Sequence, residues 1–381
     1  MGNRLHATPL FNQALVGMPA RNDRETRRSD GEAARFCRDI LPAVSRTFAL
    51  SIRVLPGDLG HAVLIAYLLC RVADTIEDAP ELLAERKAEL LGLFLGALDH
   101  AEDAGRYVAE SAGLAGDEAH IRLNRRADLV FQEFHALPPG SRGHVRRWVG
   151  EMATGMQTFV LRYPRGIRIQ SIEEYREYCY YVAGTVGYML TDLWHEHSRT
   201  IGVARHQLLR ARCREFAEAL QTVNILKDVA RDAKQENSIY IPEELLREHG
   251  SSHATLLRAD RTNETRAALI ALGRLAGRDL DHATAYLLML PRRALAIRLF
   301  CALPLLFACA TLRDLRRAWR SPADGSAVVK ISRREVKALT VLGVLGIASN
   351  RMLAWLAHRA GTRPVLFGGH VEPRPAVAAE H

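Results

Sequence analysis

Ala62-Val-Leu-Ile-Ala-Tyr-Leu-Leu-Cys-Arg-Val-Ala-Asp74-Thr-Ile-Glu77-Asp78 decides how this chain is read, because an apolar run of helical character ends in three carboxylates. The steps from Asp74 to Glu77 and Asp78 are three and four, so a helix brings all three side chains onto one face about one turn apart. A second stretch, Phe216-Ala-Glu-Ala-Leu-Gln-Thr-Val-Asn-Ile-Leu-Lys-Asp228-Val-Ala-Arg-Asp232, repeats the step of four after another apolar run. Charges at these spacings are ordinarily a solvated helix face. On helices this apolar, stacked carboxylates are costly unless a cation compensates them. Two such faces meeting across a cavity would form a cage for magnesium and diphosphate, since a hard divalent ion takes a few carboxylates and completes its shell with water and phosphate oxygens.

Working outward, apolar residues recur at steps of three and four in 58 to 74, 85 to 98, 142 to 161, 205 to 230, 264 to 290 and 294 to 318, and alternating valine-rich strands are missing. The fold class is all-α, with one helical domain expected over 32 to 360. Residues 1 to 31, polar and without periodicity, predict a flexible N-terminal arm, and the tail from Gly361, with Pro364, Pro373 and Pro375, predicts irregular chain. Leu137-Pro-Pro-Gly140, Tyr163-Pro-Arg-Gly166, Pro242, Pro291 and Ser321-Pro-Ala-Asp-Gly325 mark turns.

With 48% hydrophobic residues in 381, the chain can bury a large core. The nearest approach to a membrane span, Ala338 to Ala357, is interrupted by Asn350 and Arg351. Cys37, Cys70, Cys179, Cys213, Cys301 and Cys309 form no Cys-x-x-Cys pair, and the N-terminus lacks the apolar core of a secretory signal, so reduced thiols in a cytoplasm are expected. The net charge of +9 comes from dispersed arginines without a nucleic-acid-binding signature; an anionic lipid surface or a diphosphate substrate accounts for it as well.

Tyr178-Cys-Tyr-Tyr-Val-Ala-Gly-Thr-Val-Gly187 places two glycines three residues apart beside three tyrosines. Each glycine inside a helix costs about 1 kcal/mol relative to alanine. Close helix packing, or a kink that opens room for a long apolar substrate, would offset that cost.

Taken in chain order, Val44-Ser-Arg-Thr-Phe48, then Tyr67 and Arg71 ahead of the first acidic motif, Tyr178 to Gly184, Gln221-Thr-Val-Asn-Ile-Leu-Lys-Asp228 running on to Asp232, and Ile239-Tyr-Ile-Pro242 resemble the squalene and phytoene synthase family, the head-to-head prenyl transferases. The resemblance covers about residues 32 to 345. Asp281-His-Ala-Thr-Ala-Tyr-Leu, Phe300-Cys-Ala-Leu-Pro304, Ala310-Thr-Leu312 and Val329-Lys-Ile331 are similar to the C-terminal half of the squalene synthases, while phytoene synthases share the first half better.

The resemblance implies an isoprenoid-synthase helical bundle around a central cavity. It also implies joining of two farnesyl diphosphates through presqualene diphosphate, then reduction by NADPH to squalene. Asp74, Glu77, Asp78, Asp228 and Asp232 would hold magnesium, or manganese in its place. Arg46, Arg71 and Lys227 would bind diphosphate. Ser45 and Thr47 either add hydroxyl contacts or mark a helix start; Phe48 and Tyr67 either line the prenyl channel or pack in the core. Gln221 and Asn224 fall among the substrate residues, with Asn224, Lys330 and Arg333 toward the cofactor. Tyr178 would handle the cation and the departing proton with Arg71 beside it, and Tyr181 is either a second catalytic tyrosine or structural.

Two departures stand out. Gln235-Glu-Asn-Ser238 occupies a stretch where the family commonly carries an arginine, and the basic element after Ile331 reads Ser332-Arg333-Arg334. Products that stop short of squalene (presqualene diphosphate, dehydrosqualene or phytoene) are the alternatives within the family. A noncatalytic helical protein that binds a membrane surface through 338 to 357 is the alternative outside it. The expected setting is a cytoplasmic monomer with peripheral contact at the inner face of the membrane.

Overall fold

The computed structural model describes residues 31 to 320 and 329 to 365, without the side chains of Arg46 and Thr47. Nearly all of the predicted N-terminal arm, the turn at Ser321 to Gly325 and the tail beyond 365 lie outside the described residues.

Helical periodicity becomes helix with little displacement. The first half holds α1 (Glu32–Val44), α2 (Arg46–Arg53), α3 (Gly57–Glu77), α4 (Ala84–Asp99), α5 (Ala104–Glu110), α6 (Glu118–Arg125), α7 (Ala127–His135) and α8 (Pro139–Arg162). Then come α9 (Ile172–Cys179), a π-helical turn (Tyr180–Gly184), α10 (Thr185–His197), α11 (Val203–Arg210) and α12 (Cys213–Gln235). The chain closes with α13 (Glu243–Glu248), α14 (Thr262–Met289), α15 (Leu295–Ala318), α16 (Arg333–Gly346) and α17 (Asn350–Thr362). The apolar stretch 205 to 230 is two helices, broken at Ala211 and Arg212. The predicted tail starts two residues late, because α17 includes Gly361 and Thr362.

Local signals set the boundaries. Pro138 and Pro139 open α8, where a missing N–H costs nothing. Ser45, Ser171, Ser332 and Ser349 cap α2, α9, α16 and α17, each accepting a backbone N–H three residues on. The turn at Asn237, which holds a left-handed φ of 49°, is pinned to the loop before α9: Arg168 donates to the Asn237 carbonyl at 2.6 Å and Asn237 donates to the Arg165 carbonyl at 2.7 Å.

The helices pack around one contiguous apolar cluster. α12 lies along α14, α4 along α8, and α15 between α14 and the α16–α17 pair. α3 and α15 are long and apolar enough to cross a membrane, yet 67% and 78% of their apolar windows are buried against other helices. Their apolarity builds the interior.

The stretch 338 to 357 is corrected by the structure. It is no continuous apolar helix, for the chain leaves α16 at Ile347 and restarts at Asn350. Leu339, Leu353 and Leu356 are fully buried, so part of this apolar surface is covered by the bundle, while Leu345 and Trp355 stay exposed. The cause is Arg298, itself fully buried, which donates Nε to the Ile347 carbonyl at 2.8 Å, Nη1 to the Leu290 carbonyl at 2.6 Å and Nη2 to Asn350 Oδ1 at 2.8 Å. One guanidinium thus satisfies orphan acceptors from two helix ends and a loop. Replacing Arg298 with Met should leave those acceptors without a donor and cost about 2–4 kcal/mol in urea unfolding. A loss under about 0.5 kcal/mol would show that the break between α16 and α17 does not depend on it.

Candidate active site

Tyr67, Arg71, Asp74 and Asp78 succeed one another along α3 at steps of four, three and four, and therefore share a face. Opposite, Gln221, Asn224, Asp228 and Asp232 share a face of α12 at steps of three, four and four. The two faces line one cavity of about 640 Å³. Ser45 and Phe48 from α2, Tyr178 from α9, and Pro304, Phe307 and Thr311 from α15 complete its walls. The cavity is carboxylate-rich on two sides and apolar or aromatic beyond.

The carboxylates are held where burial and mutual repulsion disfavour their charge. Glu77 is 6% exposed; burial, with Asp78 and Asp74 beside it, raises its pKa well above the usual range. Its Oε1 has no partner, while Oε2 accepts from the Tyr178 hydroxyl at 3.4 Å. Burial and the facing Glu236 raise Asp78 as well. Asp232 is pushed up to about 7 by burial, with Asp228 and Asp78 adding to the rise and Arg231 opposing it. Cations stand close by: Arg71 is 3.3 Å from Asp74 and Lys227 is 3.1 Å from Asp228. Arg231 reaches Asp232 at 3.2 Å and both Asp228 and Glu236 at 3.7 Å.

Tyr178 stacks on Tyr240, with ring centroids 4.8 Å apart and 23° between planes, and meets Phe159 edge-on at 5.2 Å. Burial, reinforced by Glu77, raises its phenol pKa well above 10, so it stays neutral. Phe48 and Tyr67 pack together at 5.4 Å. The π-helical turn follows Tyr178 directly, and Gly187 lets α10 approach α12 so closely that a Cβ there would overlap the Cys213 carbonyl. The close-packing reading of the glycine-rich stretch holds at Gly187.

Of the residues singled out in the sequence, Ser45, Phe48, Tyr67, Arg71, Asp74, Glu77, Asp78, Tyr178, Gln221, Asn224, Lys227, Asp228, Asp232 and Lys330 all line this cavity. Ser45 also caps α2, accepting from the Phe48 N–H at 3.1 Å, so its two readings coexist. Tyr181 is elsewhere: it lies over Gly155 of α8, where a Cβ would overlap its ring. Arg333 is exposed at the start of α16, outside the cavity wall.

Sequence reasoning missed Arg231, Glu236, Tyr240 and His120, which also line the cavity. Glu236 continues the step of four from Asp228 and Asp232, and that spacing could have found it. His120, kept neutral by burial and the nearby Arg71, comes from α6 and carries no signal in the sequence.

Among the described residues, no three acidic, histidine or cysteine side chains stand close enough to enclose a metal ion unaided. The donor set still suits magnesium. It is all oxygen, it offers an orphaned buried Glu77 Oε1, and magnesium ordinarily completes its shell with substrate phosphates and water. For a nicotinamide cofactor, Asn224 and Lys330 offer an amide and an ammonium to the same cavity.

Comparison with known proteins agrees with this geometry. The squalene/phytoene synthase family model matches residues 41 to 335. Squalene synthase of Schizosaccharomyces pombe is 30% identical over 302 residues, 78% of this chain and 62% of that protein. Botryococcus squalene synthase of Botryococcus braunii is 28% identical over 309 residues, 80% of this chain and again 62% of that protein. This chain thus spans less than two thirds of the length of these relatives. Among solved structures, TcSQS in complex with the ligand BPH1237 superposes with a TM-score of 0.74 at 25% identity, covering 87% of this chain and 92% of that one. A dehydrosqualene synthase shares the fold with a TM-score of 0.57 at 19% identity, covering 86% and 97%. The chain belongs to the squalene/phytoene synthase family.

Proposed function

We propose that this chain condenses two molecules of farnesyl diphosphate head to head, through presqualene diphosphate, and carries the intermediate on to squalene with NADPH. The observation that carries the reading is the pair of acidic faces, on α3 and α12, opening onto one cavity whose remaining walls are aromatic and apolar. The similarity to squalene synthases over most of this chain supports it.

Asp74, Glu77, Asp78, Asp228 and Asp232, with Glu236, would hold magnesium, which neutralises diphosphate charge as the carbon–oxygen bond breaks. Arg71 and Lys227 would bind diphosphate oxygens directly. Ionisation of the donor leaves an allylic cation, and the acceptor double bond attacks it. Tyr178 and Tyr240 present ring faces that stabilise positive charge. Because Tyr178 is a neutral, buried phenol, the proton lost on closing the cyclopropane passes to the released diphosphate. Phe48, Tyr67 and Phe307 would keep water from the cations. Asn224 and Lys330 would hold NADPH, whose chemistry when bound would be hydride donation in the second stage. A reaction that stops at presqualene diphosphate draws on one observation, the position of Arg333 outside the cavity wall.

Arg231 would answer the departure at Gln235 to Ser238. Where the family's arginine is missing, this guanidinium bridges all three carboxylates of the α12 face and can turn from them to a diphosphate.

The test of the reading is incubation with farnesyl diphosphate and magnesium, with and without NADPH, followed by dephosphorylation and mass spectrometry. Squalene should form only with NADPH. Presqualene alcohol under both conditions would place the end of the reaction at the cyclopropane, and unconsumed substrate would sink the assignment.

Asp78→Asn should lower turnover about a thousandfold, the size expected when several kcal/mol of charge stabilisation is lost. The same change should raise the melting temperature of the metal-free protein. Carboxyls whose folded pKa is raised hold protons that the unfolded chain releases, so the empty site loses stability as pH rises from about 4 to about 7. Asp78→Asn removes part of that loss, and a melting temperature that drops instead would contradict the repulsion argument.

Calorimetry can check Arg231. In Arg231→Gln, affinity for inorganic diphosphate without metal should fall about tenfold, while affinity for magnesium alone rises. Unchanged affinities would reduce Arg231 to a surface ion pair.

A further inference from the structure

Behind α15, on the side away from the active-site cavity, lies a second cavity of about 420 Å³. Phe307, Ala308 and Thr311 of α15 face the first cavity, and Cys309, Leu312 and Arg316 face the second. α14 contributes Arg274, Arg278 and Asp281, and α17 contributes His358.

Several arginines of the bundle are matched by carboxylates. Arg162, Arg176, Arg210 and Arg313 each pair with a carboxylate within 3 Å. Arg274, Arg278 and Arg316 form no ion pair among the described residues, and Asp281 is the one carboxylate on the walls against three guanidiniums. Arg316 is half-buried, with one Nη2 bond to the Gly273 carbonyl at 2.8 Å. It lies across Gly277, where a Cβ would overlap its guanidinium. Burial and the neighbouring Arg320 push its pKa down, with Asp281 opposing the fall. A part-buried arginine flanked by two more in a concave space is a site for an anion with several acceptor oxygens, and guanidinium forks match phosphate.

A second feature narrows the source of that phosphate. Trp355, 50% exposed, sits three residues before His358 on α17 and so on the same helical face as the basic cavity. An indole held out to solvent on the helix that forms one wall of this cavity is the side chain that settles at the boundary between lipid and water.

We propose that Arg274, Arg278 and Arg316 form a phosphate-binding site in the cavity between α14, α15 and α17, and that it takes the headgroup phosphate of an anionic lipid, with Trp355 entering the interface beside it. For its purpose this rests on the proposed function: a hydrocarbon product leaves into lipid, and the site would hold the enzyme there. The binding itself is independent of that reading.

The test is flotation of the protein with vesicles of phosphatidylcholine containing phosphatidylglycerol, against vesicles of phosphatidylcholine alone. Wild type should bind the anionic vesicles. The double variant Arg274→Gln, Arg278→Gln should lose about thirtyfold in partitioning, two surface charges' worth, while farnesyl diphosphate turnover in detergent is unchanged. Trp355→Ala should weaken vesicle binding without affecting stabilisation by inorganic phosphate. Removing the same charge from α6, in Arg122→Gln, Arg125→Gln, controls for net charge; an equal loss there overturns the proposal. If wild type ignores vesicles but inorganic phosphate raises its melting temperature and not that of the Arg274/Arg278 variant, the site stands with a free phosphate as ligand. No difference in either assay overturns it. A wild type that binds vesicles yet leaves farnesyl diphosphate untouched would fail the proposed function and not this site.

Discussion

Mutual repulsion among the carboxylates of α3 and α12 is the constraint around which the cavity is arranged. Asp74, Glu77, Asp78, Asp232 and Glu236 converge with Asp228 on one space inside an apolar bundle, where burial disfavours the charge of those first five and neighbouring carboxylates disfavour most of them further. A chain that folds this way keeps a destabilised surface inside itself, and it tolerates it through nearby cations. Arg71, Lys227 and Arg231 each touch one or more of the carboxylates, and Lys87 donates to the Glu77 carbonyl at the end of α3. That arrangement is incomplete by design of the geometry: Glu77 Oε1 has no partner at all. The stored repulsion is what a divalent ion and a diphosphate would relieve together, so binding and folding draw on the same interactions.

The two acidic helices were legible because α-helical geometry turns spacing into direction. Steps of three and four in 67, 71, 74, 78 and in 221, 224, 228, 232 fix a face whatever the tertiary structure does. The prediction held because both helices are regular over those residues. Where regularity fails, so does the inference. Tyr181, read in the sequence as either catalytic or structural, lies past the point where the chain enters a π-helical turn at Tyr180, so its spacing from Tyr178 does not fix its direction, and it packs on Gly155.

The break between α16 and α17 was hidden for a different reason. Its cause, Arg298, stands about fifty residues earlier and acts through backbone carbonyls, which have no sequence identity to read. His120 is hidden likewise, since the packing of α6 against α3 brings it to the cavity and no local pattern encodes that packing. Arg231 and Glu236 differ from these. They lay on the predicted face, at three and eight residues from Asp228, Arg231 inside the quoted acidic motif and Glu236 in a stretch noted only for its missing arginine.

α15 separates two opposite electrostatic environments. On one face it closes the carboxylate cavity; on the other it carries Arg316 toward Arg274 and Arg278. In a bundle with a net charge of +9, unpaired arginines free to reach the acidic cavity would neutralise it and compete with metal, as Arg231 already does in part on α12. A helix packed with Leu305, Leu306, Ala310 and Leu312, all nearly inaccessible, prevents that approach sterically and keeps water out of the space between. The separation lets acidic and basic sites coexist on one helix, and it requires the middle of α15, from Leu305 to Ala310, to remain apolar, while the buried Arg298 and Arg313 lie to either side of that stretch. The high hydropathy of this helix, which by composition alone suggests a membrane span, follows from that requirement.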